Sequence, residues 1–401
     1  MIEITPTLGR WPTAALGELC DIRGGFPAPQ DDSAFEEGEI PFVRMKDVGR
    51  HHLTNNLCET DQSLSRAHFE KGRYQLTPRG SILMPRSGSV GLNHRAILTV
   101  DAVVVSHLCA LVPTSDKVTT DFLYRFLCLA DMRKLTKKTT GLDSIAFSDL
   151  RIVAIPLPPL AEQRRIAEVL DKAEALRAKR RAALAQLDSL TKSLFLDLFG
   201  DPVTNPKGWP NPTLGGLLAF QQYGPRFVNE AYSTDGIRIV RITDLSESGN
   251  LDFSAMPKMT VSAEDRKKYS LCDGDIIFAR TGATVGKVAL IGPNDPPCIA
   301  GAYFITMRFE KTVEPVYARA VLVAPSVRAI VAKRSRQAAQ QNFSGPGLRQ
   351  LPMPLPPLDL QREFARRVAA VEKLKTAQRA ALAELDALFA SLQHRAFRGE
   401  L

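Results

Sequence analysis

Leu157-Pro-Pro-Leu-Ala-Glu-Gln-Arg164 opens a long helical stretch, and Leu355-Pro-Pro-Leu-Asp-Leu-Gln-Arg362 opens another, 198 positions further on (355 against 157). Both stretches contain a matching inner segment, AALAQLDSL at 182–190 and AALAELDAL at 380–388. The echo extends upstream more faintly. Trp11-Pro12 with Leu16-Gly17 returns as Trp209-Pro210 with Leu214-Gly215, and Val43-Arg44-Met45-Lys46-Asp47 returns as Val240-Arg241-Ile242-Thr243-Asp244. Gly80-Ser-Ile-Leu-Met-Pro-Arg86-Ser-Gly88 returns as Gly274-Asp-Ile-Ile-Phe-Ala-Arg280-Thr-Gly282. A period this long exceeds any solenoid repeat and matches a whole domain plus a helix. The chain reads as a tandem duplication: a domain over 1–155, a helix over 156–200, a second domain over 201–353 and a second helix over 354–401.

The 401 residues are enough for two domains with sizeable cores, and 44% hydrophobic content is that of a globular chain. A net charge of +9, from 52 Lys+Arg against 43 Asp+Glu, favours a polyanionic partner. The N-terminal stretch has no basic segment followed by an apolar core, and no apolar run is long enough to span a membrane, so a soluble cytoplasmic protein is expected. The six cysteines form no C-x-x-C and are not joined to histidines at zinc-site spacing, which predicts no metal site.

Within the first helix, Ile166, Val169, Ala173, Leu176, Ala183, Leu187, Leu190 and Leu194 step by threes and fours with Arg180 interrupting. This is a heptad seam. In the second helix the shift by 198 gives Phe364, Arg367, Val371, Leu374, Ala381, Leu385, Leu388 and Leu392, with Val368 supplying the apolar contact that Arg367 does not, and Gln378 interrupts at the matching place. The Pro-Pro steps fix where each helix starts, and Gly200 and Gly399 mark the ends. A helix of about 38 residues spans roughly 55–60 Å, more than one small domain covers, so the two helices are expected to pair antiparallel. The predicted fold is α+β: two tandem, pseudo-twofold-related domains joined by two long antiparallel coiled-coil helices.

In each domain short apolar runs such as Ile40–Arg44, Ser81–Met84, Ala102–Ser106, Ile237–Arg241, Asp275–Phe278 and Ala302–Thr306 predict strands. One helix is expected to close each domain, Asp121 to about Lys137 and Val316 to about Arg336. Arg44, Lys46, Arg86, Arg95, Arg241, Arg280 and Lys287 fall at strand ends or in loops rich in Gly, Ser and Thr, where an arginine can reach phosphate or pair bidentately with guanine. Ser87, Ser89, Thr243 and Thr281 offer hydroxyls beside them, and Gln341 with Asn342 offers groups suited to adenine edges. Recurrence singles out Arg86 and Arg280.

No phosphate-binding loop, dinucleotide fingerprint, H-E-x-x-H or G-x-S-x-G appears, which predicts a non-catalytic chain. Asp295-Pro-Pro-Cys298 approaches the tetrapeptide of amino-methyltransferases but has cysteine in place of the aromatic that stacks on the flipped base, so a turn is the expected reading.

With its duplicated Leu-Pro-Pro-Leu…Gln-Arg segments and Gly274–Arg280, the whole chain resembles the specificity subunit of type I restriction-modification systems. The resemblance implies that each domain is a target recognition domain reading one half of a split, asymmetric double-stranded DNA site. It implies that the helices set the unread gap. The partners it implies are two methyltransferase subunits, which bring S-adenosylmethionine, and motor-nuclease restriction subunits, which use ATP; the chain itself would need no cofactor. Two contrasting possibilities are a self-contained methyltransferase or nuclease, which the absent catalytic motifs disfavour, and a structural tether whose domains bind proteins rather than DNA.

Overall fold

The computed structural model describes residues 11–52, 56–139, 142–227, 232–246, 249–335 and 342–401. Two compact units emerge: Met1–Ala183 with Gln378–Leu401, and Leu184–Ala377.

In the first unit a five-stranded sheet runs in the spatial order Cys20–Gly24, Leu108–Pro113, Ile82–Pro85, Ala96–Leu98, Asn56–Leu57. A three-stranded sheet runs Gln62–Leu64, Ile40–Val43, Val103–Val104. Ile82-Leu-Met-Pro85 is apolar throughout because both of its faces are covered. Ile82 and Met84 enter a core with Phe122 and Phe126 of the helix Thr120–Leu129, while Leu83 enters a second core with Phe42 and Val103. In the second unit a four-stranded sheet runs Leu218–Tyr223, Phe304–Phe309, Ile276–Ala279, Val288–Leu290 beside a three-stranded sheet Lys258–Met259, Ile237–Val240, Cys298–Ala300. The same division recurs: Ile276 and Phe278 pack with Tyr317 and Val321, and Ile277 and Ala279 with Val240 and Ala300. Register matches as well, with Met84 opposite Cys109 in one unit and Phe278 opposite Ile305 in the other.

The closing helices are shorter than expected. The first ends at Leu129 because Ala130 turns extended, and a 3-10 turn Met132–Leu135 and the strand Thr136–Thr139 follow. The second is two helices, Pro315–Val323 and Pro325–Ser335, bent by 61°. Pro325 drives Ala324 to ψ 137 and removes a helical N–H, which is the cause of the break. The expected end at Arg336 lies outside the described residues. Among the described residues no single helix is long and apolar enough to cross a membrane, and this bent pair, though apolar in composition, buries Tyr317, Val321, Val327 and Val331 in the core.

The long helices are Leu160–Phe199, of 40 residues, and Leu358–Arg398, of 41. The glutamine that recurs after each Pro-Pro is fully buried and does the same work twice. Gln163 Oε1 accepts the Thr119 N–H at 2.9 Å, at the start of the helix Thr120–Leu129, and its Nε2 donates to the carbonyls of Lys117 and Pro158 at 2.8 and 2.9 Å. Gln361 Oε1 accepts the Glu314 N–H at 2.9 Å, and its Nε2 donates to Thr312 and Pro356 at 3.3 and 2.8 Å. Each side chain ties a long helix to its own domain.

Helix pairing is antiparallel; the expected seam is buried towards its ends, where Ile166, Ala173, Leu194, Phe364, Val368 and Leu392 pack in or against the cores, and is displaced in its middle. In the first unit Ile166 and Leu170 share a core with Phe389, Ala396 and Phe397. Arg177 lies 4.3 Å from the Phe389 ring centre, pairs with Glu174 on its own helix, and reaches Asp386 across the pair at 2.6 Å. In the second unit Lys375 pairs with Glu372 on its own helix at 2.7 Å and with Asp188 across the pair at 2.8 Å. Burial lowers the Lys375 pKa, but the hydrogen bonds its ammonium donates to Asp188 and Glu372, with their charges, outweigh it and the net shift is upward. Arg180 donates to Gln378 at 2.7 Å, so the two polar interruptions meet each other. Because charged clusters occupy the middle of the pairing face, Leu176, Leu190, Leu374 and Leu388 are left 52%, 43%, 54% and 52% exposed.

Candidate nucleic-acid interface

The recurring arginines stand at one position of the fold. Arg86 follows the strand Ile82–Pro85; its N–H donates to His107 O at 2.9 Å, and its carbonyl accepts the Ile145 N–H at 2.9 Å. Arg280 follows the strand Ile276–Ala279; its N–H donates to Tyr303 O at 2.9 Å, and its carbonyl accepts the Phe343 N–H at 2.7 Å. With the main chain clamped on both sides, the side chain leaves the sheet from the same register in both copies. Each guanidinium lies over an aromatic ring: Arg86 is 4.7 Å from the Phe147 centroid and Arg280 is 4.6 Å from that of Tyr223. Among the described residues neither arginine has a carboxylate partner; Arg280 Nε reaches Asn342 Oδ1 at 3.3 Å, and Arg86 Nε is buried with no hydrogen-bond partner. A cation without an internal counter-ion, held at a rim of small and polar residues, is the arrangement that suits an external anion or a base edge.

Several predicted residues gather around these two. Ser87 Oγ lies 2.9 Å from His107 Nδ1, and Ser87 bridges Ser144 as Thr281 bridges exposed Asn342. Ser89 precedes the 3-10 turn Val90–Leu92, and Lys287 closes the loop after Thr281, with its N–H on Thr284 O at 3.0 Å. Gln341 lies outside the described residues.

Of the others, Arg44 is tied into the fold through its main chain, while its guanidinium, like those of Arg86 and Arg280, lies on aromatic rings with no carboxylate partner among the described residues. The Arg44 N–H donates to Asp47 Oδ2 at 2.8 Å and its guanidinium sits over Phe35 and Phe42 at 5.3 and 5.7 Å. The Arg241 N–H donates to Asp244 Oδ2 at 2.8 Å, and its side chain pairs with the same carboxylate at 2.7 and 3.1 Å. That motif recurs because the aspartate caps a turn. Thr243 is exposed in that turn, and Lys46 pairs with Asp61 at 3.1 Å. Arg95 is a correction to the sequence reading: it is fully buried, donates to His94 O at 2.6 Å and Asn93 Oδ1 at 2.7 Å, and its pKa is lowered by burial. Val288 takes its place in the second unit, next to the sheet pair Ala289–Ile277 that answers Ala96–Leu83. Nothing outside the core can reach this guanidinium. Asp295 of the tetrapeptide accepts the Gly292 N–H at 2.8 Å, and Cys298 is buried in a strand.

Arg86→Ala is expected to weaken discrimination at one half of a DNA site and Arg280→Ala at the other, each by about 1–3 kcal/mol if a bidentate base contact is lost. Competition binding against duplexes with one half scrambled checks it. An equal loss on every sequence would make both residues phosphate anchors instead.

A family model described as a type I restriction modification DNA specificity domain matches the chain twice, over residues 9–186 and 206–385. The chain is 23% identical over 430 residues to the type I restriction enzyme EcoBI specificity subunit of Escherichia coli, covering 98% of this chain and 86% of that one. It is 24% identical over 407 residues to the EcoKI specificity subunit of Escherichia coli strain K12, covering 95% and 86%. Among solved structures, the S subunit of a type I restriction-modification system from M. genitalium aligns over 99% of both chains with a TM-score of 0.58 at 14% identity.

Proposed function

The chain belongs to the type I restriction-modification DNA specificity family, and from that premise we propose that it reads a bipartite, asymmetric site on double-stranded DNA, one half with each domain. The observation that carries this reading is the pair of arginines, Arg86 and Arg280, at equivalent strand ends, each on an aromatic ring and without a carboxylate partner among the described residues. The domains differ around that shared position: Ser87, His107 and Ser144 in one, Thr281, Tyr303 and Asn342 in the other. Different side chains on one scaffold imply different base sequences, hence an asymmetric site. Helices of 40 and 41 residues, each about 60 Å long at 1.5 Å per residue, act in this reading as the spacer that sets the unread gap.

The chain contributes specificity and leaves chemistry to its partners. It docks two methyltransferase subunits, which bring S-adenosylmethionine, and motor-nuclease restriction subunits, which use ATP, in a cytoplasmic assembly. Support for two copies of one partner comes from the exposed leucines. Leu176 and Leu388 flank the Arg177–Asp386 ion pair in the first unit, and Leu374 and Leu190 flank Lys375–Asp188 in the second. Two equivalent sets of exposed leucines suit two equivalent partners. Leu176→Glu with Leu374→Glu is expected to leave stability within about 0.5 kcal/mol and to weaken methyltransferase capture about fivefold, since covering the exposed half of each leucine contributes about 1 kcal/mol. Capture with undiminished affinity would place the docking surface elsewhere.

The direct test of the whole reading is to sequence methylated DNA from cells that co-express this chain with its cognate methyltransferase. A modified motif with two dissimilar half-sites and a fixed gap is expected. No sequence-dependent modification, with partners bound, would leave a tether that uses its domains on proteins.

A further inference from the structure

The ring beneath the recurring arginine does not recur in sequence. Strand register makes Gly24 the counterpart of Tyr223: Gly24 sits opposite Cys109 where Tyr223 sits opposite Ile305. The short helices Phe147–Arg151 and Gly345–Arg349 are also counterparts, since Gly17 packs against Arg151 as Gly215 packs against Arg349, so Phe147 corresponds to Gly345. One domain therefore has Gly24 on the strand and Phe147 on the helix, and the other has Tyr223 on the strand and Gly345 on the helix. The choices crowd each other. A Cβ at Gly24 would lie 3.2 Å from the Phe147 ring, and one at Gly345 would lie 2.7 Å from Tyr223 Oη. Tyr223 Oη is moreover committed, accepting the Gly345 N–H at 2.8 Å.

Resting on the proposed DNA-reading function, we infer that Phe147 and Tyr223 are positioning residues of the two half-site readers, each holding Arg86 or Arg280 in a fixed orientation from a different place in the fold. An unstacked arginine has many rotamers to surrender when it binds; a guanidinium already lying on a π-face surrenders fewer. Core packing alone explains a ring at one of these positions. It does not explain why a ring delivered from the opposite element ends under the same arginine, with glycine making room each time.

The test uses the full chain with its methyltransferase partner and duplexes carrying the methylated motif, with either half scrambled. Phe147→Leu keeps an apolar side chain of similar bulk but removes the π-face. It is expected to lower discrimination at the first half-site about five- to tenfold while leaving the second half-site unchanged and lowering the melting temperature by only a few degrees, since Phe147 packs against the first unit's core. In an Arg86→Ala background the same change is expected to have no further effect. Tyr223→Leu with Arg280→Ala repeats the cycle at the second half-site. The paired change Gly24→Tyr with Phe147→Gly, which copies the second domain's arrangement into the first, is expected to restore discrimination to within about twofold of the parent. The inference is overturned if Phe147→Leu costs as much without Arg86 as with it, or if the transplanted ring folds normally but does not restore reading. Should the transplant fail to fold, the Leu cycles decide alone. A parent protein that does not discriminate scrambled duplexes would instead sink the DNA-reading function itself.

Discussion

Residues 1–200 alone are expected to form a homodimer and, with methyltransferase subunits, to select a palindromic site made of two copies of the first half-sequence. The first unit is incomplete without Gln378–Leu401: Phe397 packs on Phe122 and Phe126 with ring centres 5.4 Å apart, and Asp386 holds Arg177. Residues 180–200 of a second half-chain repeat that segment. Phe199 stands for Phe397 and Asp188 for Asp386, so most of the seat is refilled through a twofold contact. Two substitutions weaken it. Thr191 replaces Phe389, the ring under Arg177, and Arg180 replaces Gln378, so that Arg180 would face its own copy where the intact chain has a hydrogen bond of 2.7 Å. Like charges at that distance on a helix pair cost a few tenths of a kcal/mol or more, so Arg180→Gln should tighten the half-chain dimer about two- to fivefold. Sedimentation velocity at micromolar concentration and the methylated motif are the readouts. A stable monomer, or a motif that stays asymmetric, counts against the duplicated architecture as the basis of the split site.

The duplication, the α+β class and the two long helices were legible because repeats and apolar periodicity depend on neighbours along the chain. What was not legible depends on neighbours in space. The run Ile82–Pro85 reads as a strand, but that its alternate residues serve two cores emerges only from what covers each face. The leucine steps at Leu176 and Leu190 look like a seam, yet Glu174, Arg177 and Lys375 take the pairing face through charges that meet only across the helices. Arg95 resembles Arg86 in sequence, being basic and beside small polar residues, and ends buried because the strand Ala96–Leu98 follows it directly into the sheet. Arg86 and Arg280 were visible by recurrence. Phe147 and Tyr223 were not, because the ring moved between elements when the copies diverged, and a comparison of the two copies shows only a glycine at each matching place.

Gln163→Leu is expected to destabilise the first unit by about 3–5 kcal/mol, more than any surface charge change in the chain. Leucine nearly matches glutamine in volume, so the cavity contribution is small. The loss is of hydrogen bonds. The Thr119 N–H and the carbonyls of Lys117 and Pro158 each give up a partner, and a buried polar group left unpaired costs about 1–3 kcal/mol. The Lys117 and Pro158 carbonyls regain part of this from water, since the groove lined by Trp11, Lys117, Pro158 and Leu160 is open; the Thr119 N–H, at the N-cap of the helix that carries Phe122 and Phe126, is the costlier orphan. Gln361→Leu should do the same to the second unit through Glu314, Thr312 and Pro356. Neighbouring Arg164 and Arg362, which recur just as faithfully but stand exposed, serve as the contrast: alanine at either should shift stability by no more than about 0.5 kcal/mol. Denaturant unfolding of the four variants distinguishes the roles. If the glutamine variants unfold at the parent's midpoint, the glutamine that recurs after Pro-Pro is not a structural tie, and the junction between each domain and its helix must be held by apolar packing alone.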